Sequence, residues 1–358
     1  MKKSLISALI AATAIFSISE TAHACSRLVT DTQHGTLVIR TADWYSAAPF
    51  DGHVSVFPVA SQRTMRGEVS SYKNAYQQWQ TKYHTVSFEE HGAFNGLSGH
   101  TVNDQGLNVA ALSQSDSEPF LAQHKDNGAP AVNIADVATF IAENYATVAE
   151  VKAALDNKAF QFAWADAPNG LEHAAGLHYS IVDKDGNIML IQLGEGGVPQ
   201  YELGDADSDL RVKTNDPFQN KQREFVSQFD IKDPKVAASL PWGIGGKQRN
   251  VRLLAVSEQL NTEGLNYQQT VARQRSAMDV AGTVPFEIQD PATGEDYPTF
   301  FTVQLNLDNG DIWFRSEMTR ADMSFNIEDT KGFSQAMTAN IQQQVDNGAT
   351  ELTWKAYQ

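Results

Sequence analysis

The chain has 358 residues and a formal net charge of −16, from 43 acidic against 27 basic side chains. That balance repels nucleic-acid phosphates and anionic membrane surfaces, so neither is an expected partner. Its nine histidines form no His-x-His or His-Glu-x-x-His run, so no metal and no cofactor is expected.

Residues 1–24 read as a secretory leader. Lys2 and Lys3 begin it, Leu5 to Ile18 is an apolar stretch too short to span a bilayer, and Ala22-His23-Ala24 places small residues at −3 and −1 of a cleavage site. The expected mature chain runs from Cys25 to Gln358 as one soluble domain, in the periplasm or outside the cell. A cysteine directly after such a site also occurs in lipoproteins. Their signal, however, has a large aliphatic at −3 and a small residue at −2, where this chain has Ala22 and His23.

Cys25 is the single cysteine. Exported proteins usually carry paired cysteines or none, so a leftover thiol needs a reason. Burial as a small hydrophobe is the ordinary one. Its place at the cleavage junction points instead to a nucleophile. After cleavage one residue holds both a thiol and a free α-amine, with ordinary pKa values of about 8.5 and about 7.7–8.0. The amine can take the thiol's proton near neutral pH and later return one to a leaving amine.

Beyond Cys25 the pattern is of hairpins. Ser26 to Thr30 and Thr36 to Trp44 flank the turn Asp31 to Gly35, and Val54 to Val59 continues the β pattern. Gly96 to Thr101 pairs with Leu107 to Leu112 across Asn103-Asp104-Gln105-Gly106. His178 to Val182 pairs with Ile188 to Leu193 across Asp183-Lys184-Asp185-Gly186, and Phe300 to Leu307 with Asp311 to Ser316 across Asp308-Asn309-Gly310. Polar turns containing Gly are the expected connections of antiparallel strands. Three- and four-residue apolar spacing predicts helices over Ile134 to Tyr145, Val148 to Leu155, Val251 to Leu260 and Tyr267 to Val280. Alternating strand pairs and helix pairs favour an α+β fold of antiparallel sheets covered by helices.

Within the second strand, Arg40 and Asp43 are charges in an otherwise apolar run, costly unless paired or used. Arg40 is placed to stabilise a Cys25 thiolate and Asp43 to hold the α-amine; an edge-strand salt bridge is the plainer alternative. Trp44 and Trp242 flank these candidate segments and are read as walls of an acyl pocket, against the commoner fate of core residues. Gly194 to Gly197 and Gly243 to Gly246 lack the Lys-Ser/Thr ending of a phosphate loop and read as ordinary loops.

Several short motifs in this order resemble the choloylglycine hydrolase family, which includes penicillin V acylases and conjugated bile salt hydrolases. They are Cys25-Ser26-Arg27, Arg40-Thr41-Ala42-Asp43-Trp44, Asn103-Asp104-Gln105-Gly106-Leu107, His178 to Gly186, Thr214-Asn215-Asp216-Pro217 and Gln248-Arg249-Asn250-Val251-Arg252. The resemblance implies a four-layer αββα N-terminal-nucleophile fold with two stacked antiparallel sheets, a small-molecule acyl amide as substrate, hydrolysis of a non-peptide C–N bond without cofactor, and a homo-oligomer, commonly a tetramer. Position by position it implies Cys25 as nucleophile, Arg40 and Asp43 as residues that tune and orient it, Asn215 as oxyanion donor and Arg249 as a second active-site arginine. Asn215 alone would otherwise read as a turn residue before Pro217. Ser113 stands where relatives often have Asn or Tyr facing the acyl pocket, and the polar run Ser113 to Ser117 is unlike a bile salt site. The expected substrates are penicillin V and N-acyl homoserine lactones, cleaved through a Cys25 thioester. Bile salt hydrolysis is the alternative within the same chemistry, and a non-catalytic periplasmic binding lipoprotein the alternative outside it.

Overall fold

A computed structural model describes residues 25–290 and 294–357; the expected leader, residues 1–24, lies outside them. Local turn chemistry sets the hairpins. Strands Ser26–Thr32 and Gly35–Asp43 meet at a turn where Gly35 has φ of +105°. A Cβ there would lie 2.5 Å from the Asp308 carboxylate, so only glycine fits. In the next turn Asn103 Oδ1 accepts from the Gln105 and Leu107 amides at 3.0 and 2.9 Å. Asp183 Oδ1 likewise accepts from Asn187 N at 3.1 Å. Such side chains replace the backbone acceptor a tight turn lacks.

Two antiparallel sheets result. The six-stranded sheet runs in the order Val212–Thr214, Ser26–Thr32, Gly35–Asp43, Thr299–Asn306, Asp311–Ser316, Asp322–Asn326. The nine-stranded sheet runs Val198–Asp205, Asn187–Gly194, Leu177–Val182, Asn108–Ser113, Leu97–Asn103, Thr85–Glu90, Gly52–Phe57, Met337–Ala339, Lys355–Ala356. The helices cover their outer faces. Val137–Asn144 and Val148–Asp156, the latter capped by Thr147 accepting from Glu150 N at 3.1 Å, lie on the larger sheet. Gly246–Glu258 and Tyr267–Ala281, the latter opened by an Asn266–Gln269 capping box, lie on the smaller.

Strand alternation sorts the core into three layers. Leu28, Ile39 and Val212 face outward onto Leu253, Leu254 and Met278. Val29, Val38 and Val303 face inward onto Val54, Val86 and Leu190 of the other sheet. Val109, Tyr179 and Ile191 pack on Phe140, Ile141 and Val151. The molecule is therefore an αββα stack, with residue 25 entering at the start of an inner strand. Among the described residues no helix is long and apolar enough to cross a membrane.

Candidate active site

Cys25 lies between two neighbouring strands. Ser26 pairs with Thr214 on one side, and Arg27 pairs with Arg40 on the other. These registers bring both charged residues of the second strand and the segment after Thr214 to residue 25. Arg40 Nη2 is 3.7 Å from Cys25 Sγ and donates to Ala111 O at 2.8 Å. Sγ lies 3.8 Å from the Asp43 carbonyl oxygen. Asn215 Oδ1, 190 positions away in sequence, accepts from the Cys25 nitrogen.

Arg249 holds the arrangement from below. It is fully buried, and its Nη1 donates to Cys25 O at 2.7 Å and to Ser26 Oγ at 2.5 Å. Its Nη2 lies 3.4 Å from Asn215 Oδ1. Asn215 Nδ2 donates one hydrogen to Ser113 O at 3.0 Å, and an amide nitrogen carries a second. The helix Gly246–Glu258 supplies Arg249 because its first turn packs against the backbone of Asp216, 1.9 Å from where a Gly246 Cβ would be.

Burial dominates the electrostatics. It pushes the Cys25 thiol above its ordinary range; Arg40 opposes that shift, while the nearby Asp43 carboxylate adds to it. Burial also lifts Asp43 to about 7, against Arg249, the Thr299 and Thr41 hydroxyls and Arg40, which all favour its ionised form. Arg249 itself is held below its ordinary value by burial, with Asp43 and Cys25 pulling the other way. A thiol, a carboxyl whose ionisation burial opposes, two guanidiniums and a side-chain amide thus meet at one point. Nucleophilic attack with stabilisation of a developing oxyanion is the chemistry such a set supports.

That point is the floor of a cavity of about 290 Å³. Trp44, Phe50, Phe94, Leu97, Leu171 and Phe301 give it an apolar wall, and Cys25, Ser113 and Asn215 line it as well. Trp44 packs edge-on to Phe94 with ring centroids 4.4 Å apart. Trp44 and Ser113, both expected at an acyl pocket, line this cavity. Trp242 does not line it. It is 75% exposed, with the Arg252 guanidinium 5.4 Å from its ring centroid, so the acyl-pocket reading of Trp242 is corrected. Adjacency in sequence to the 243–246 loop did not carry it to the cavity.

Some site residues had no role assigned to them from the sequence. Thr41 accepts from Ser26 N at 2.8 Å, and Thr299 pairs with Asp43 across the sheet. Gly99 leaves room for Arg40, whose guanidinium nitrogens lie 3.2 Å from where its Cβ would be. Phe50, Phe94, Leu171 and Phe301 come from separate segments. Phe301 is on a strand and the other three are in loops, so only the folded chain brings them together.

A family model described as linear amide C–N hydrolases, choloylglycine hydrolase family, matches residues 25–244. The chain is 25% identical to a penicillin V acylase of Pectobacterium atrosepticum over 214 residues, 58% of this chain and 53% of that protein. The match thus spans about half the length of that curated relative. Among solved structures, the penicillin V acylase from Agrobacterium tumefaciens superposes with a TM-score of 0.72 at 19% identity, covering 93% of this chain and 99% of that one. A variant of the conjugated bile acid hydrolase from Clostridium perfringens superposes with a TM-score of 0.67 at 14% identity, covering 93% and 97%. At these identities the two structures speak for the fold.

Proposed function

This chain belongs to the choloylglycine hydrolase family of linear amide C–N hydrolases, and from that membership we propose that it is an N-acyl amide hydrolase of the penicillin V acylase type. Its substrates are penicillin V and N-acyl homoserine lactones, and its nucleophile is the Cys25 thiol. The observation that carries this reading is the convergence of Arg40, Asn215 and Arg249 on the nitrogen, carbonyl and sulfur of one residue, under an apolar cavity. The family match begins at that same residue.

In the proposed reaction the α-amine of a processed Cys25 takes the thiol proton, and Sγ attacks the amide carbon. The second Nδ2 hydrogen of Asn215 stabilises the resulting oxyanion. The C–N bond then breaks as the α-ammonium protonates the leaving amine, leaving a thioester. Water, deprotonated by the same amine, releases the carboxylic acid. Arg40 favours the thiolate, Asp43 orients the amine, and Arg249 fixes the Cys25 carbonyl and Asn215. Trp44, Phe50 and Phe94 hold the acyl group and Ser113 borders it.

The leader is proposed to be removed after Ala24, with the mature protein in the periplasm or outside the cell. Assembly into a homo-oligomer, a tetramer, is proposed from the family resemblance, and light scattering on the purified protein measures it. The deciding experiment compares penicillin V, an acyl homoserine lactone and glycodeoxycholate on mature protein whose intact mass shows a bare Cys25. The first two are expected to be cleaved, the third barely, and Cys25→Ser to abolish all turnover. Equal or faster bile salt turnover reverses the substrate assignment. A diacylglycerol adduct on Cys25 removes the general base and the mechanism with it.

A further inference from the structure

The layer between the two sheets is not apolar throughout. Toward the end beside Cys25 the same inward faces that carry valines elsewhere carry charge. Arg27 shares its face with Val29 and Arg40 shares its face with Val38, both of which point at the opposite sheet. Val212 points the other way, at the helices, so Lys213 also points inward. Register places Lys213 opposite Arg27 and Arg27 opposite Arg40. Three cations therefore stand in one row across three adjacent strands, with neighbouring Cα atoms about 5 Å apart. None is more than 7% exposed.

The facing sheet does not neutralise them. Its inward positions here are His178 and Ser180, on the face of Val182, and His100, on the face of Val102; each is at most 1% exposed. Burial holds both histidines well below their ordinary range, and the cations of the row push the same way. Burial, with Arg27 beside it, pulls Lys213 down to about 7, and Asp216 is the carboxylate that most opposes this, followed by Glu202 and Asp116. Asp216, however, commits Oδ2 to Ser115 N at 3.1 Å and Oδ1 to Asp116 N at 3.0 Å.

The donors outnumber their acceptors. Arg40 is engaged by Ala111 O and the thiol. Arg27 donates to Leu210 O at 2.6 Å through Nη2. Among the described residues nothing pairs with Arg27 Nε or Nη1, Lys213 Nζ, either ring nitrogen of His178, or Ser180 Oγ. A buried cation without a counter-charge costs several kcal/mol, and like charges side by side add to it. Ordered water can satisfy the hydrogen bonds but brings no charge. Unpaired buried polar atoms of this kind mark an ion or water, and a donor-rich, carboxylate-poor set selects an anion.

We infer that Arg27 and Lys213, walled by His178 and Ser180, bind one small inorganic monoanion of halide size between the sheets. One charge suffices because Arg40 already faces the thiol and Lys213 has Asp216, Glu202 and Asp116 acting on it, which leaves Arg27 as the cation without a counter-charge. The size follows from the enclosure: packed sheets stand about 10 Å apart, and side chains from both faces fill most of that gap. The site is independent of which amide, if any, Cys25 cleaves.

Crystals of the mature protein grown with bromide as the sole halide test this directly. An anomalous peak is expected within hydrogen-bonding reach of Lys213 Nζ and the Arg27 guanidinium. Density there for water alone, without anomalous signal, overturns the assignment. In solution, replacing gluconate by chloride at constant ionic strength should raise the melting temperature of the wild type along a saturating curve, as a ligand that binds only the folded state does. Lys213→Met should lose the saturating part. A non-saturating rise of equal size in both proteins is a general salt effect and counts against the site. If Lys213→Met does not fold, the wild-type bromide map decides alone.

Discussion

Asp43 holds its proton in the folded chain up to about pH 7 because the carboxylate form is desolvated. An unfolded aspartate loses its proton near 4. Between those values the folded state binds more protons, so its stability falls as pH rises from about 4 to about 7. The full effect is roughly 4 kcal/mol. Asp43→Asn removes this component, and its urea-unfolding free energy should be flatter between pH 4.5 and 7.5 than that of the wild type; parallel curves would show that Asp43 does not titrate there. Asn215 gives a second prediction. Asn215→Ala removes the proposed oxyanion donor, which is expected to lower kcat by about 10²–10³, with KM changing far less. A loss confined to KM would assign Asn215 to substrate binding instead. Cys25, Arg40 and Asp43 were legible in the sequence because one hairpin holds all three. The amide of Asn215 and the guanidinium of Arg249 emerged only through family resemblance, since nothing local distinguishes a turn asparagine from a site residue.

At the scale of elements, two glycines set the distances between the site's parts. Gly99 gives Arg40 its space on the neighbouring sheet, and Gly246 lets the helix of Arg249 approach the strand end that carries Asn215. For Gly99→Ala, the 3.2 Å contact displaces a guanidinium that is also tied to Ala111 O. Activity should fall by about tenfold or more, with a melting temperature within a few degrees of wild type, because misplacing one group by an ångström costs rate more than stability. Unchanged kcat would show that Arg40 tolerates the shift. The hairpins whose turns carry Asn, Asp and Gly were readable, as were four periodic helices. Thr85–Glu90 was not, since it ends in two buried glutamates and joins no tight turn that marks it. Val198–Asp205 escaped for another reason: it is a largely exposed edge strand that includes Pro199 and Gly204, two residues that argue against a strand. Trp242 shows the remaining gap, for position along a chain does not give direction in space.

Across the whole molecule, the sheet-on-sheet layer backs the strand that begins beside Cys25, the proposed nucleophile. Leu305 is 1% exposed within it and distant in sequence from every proposed reacting group. Leu305→Ala should destabilise the fold by about 2–5 kcal/mol through the lost burial and the cavity left behind. Folded molecules should keep their kcat, so a large drop in kcat below the unfolding transition would show that the layer tunes chemistry as well as stability. The antiparallel, helix-covered architecture was readable from the alternation of hairpins and helices, because each element must bury one face. Sheet order was not. It depends on pairings such as Gly35–Asp43 with Thr299–Asn306, which join segments some 260 positions apart. That same pairing has a temporal meaning. The thiol is made first and its neighbours last: Asn215, Arg249 and the Thr299 strand all follow by nearly two hundred residues or more. Contacts this remote in sequence close slowly. A newly made chain therefore carries a disarmed sulfur until almost its entire length has condensed, a delay that acts beside the capping of the Cys25 nitrogen by the proposed leader.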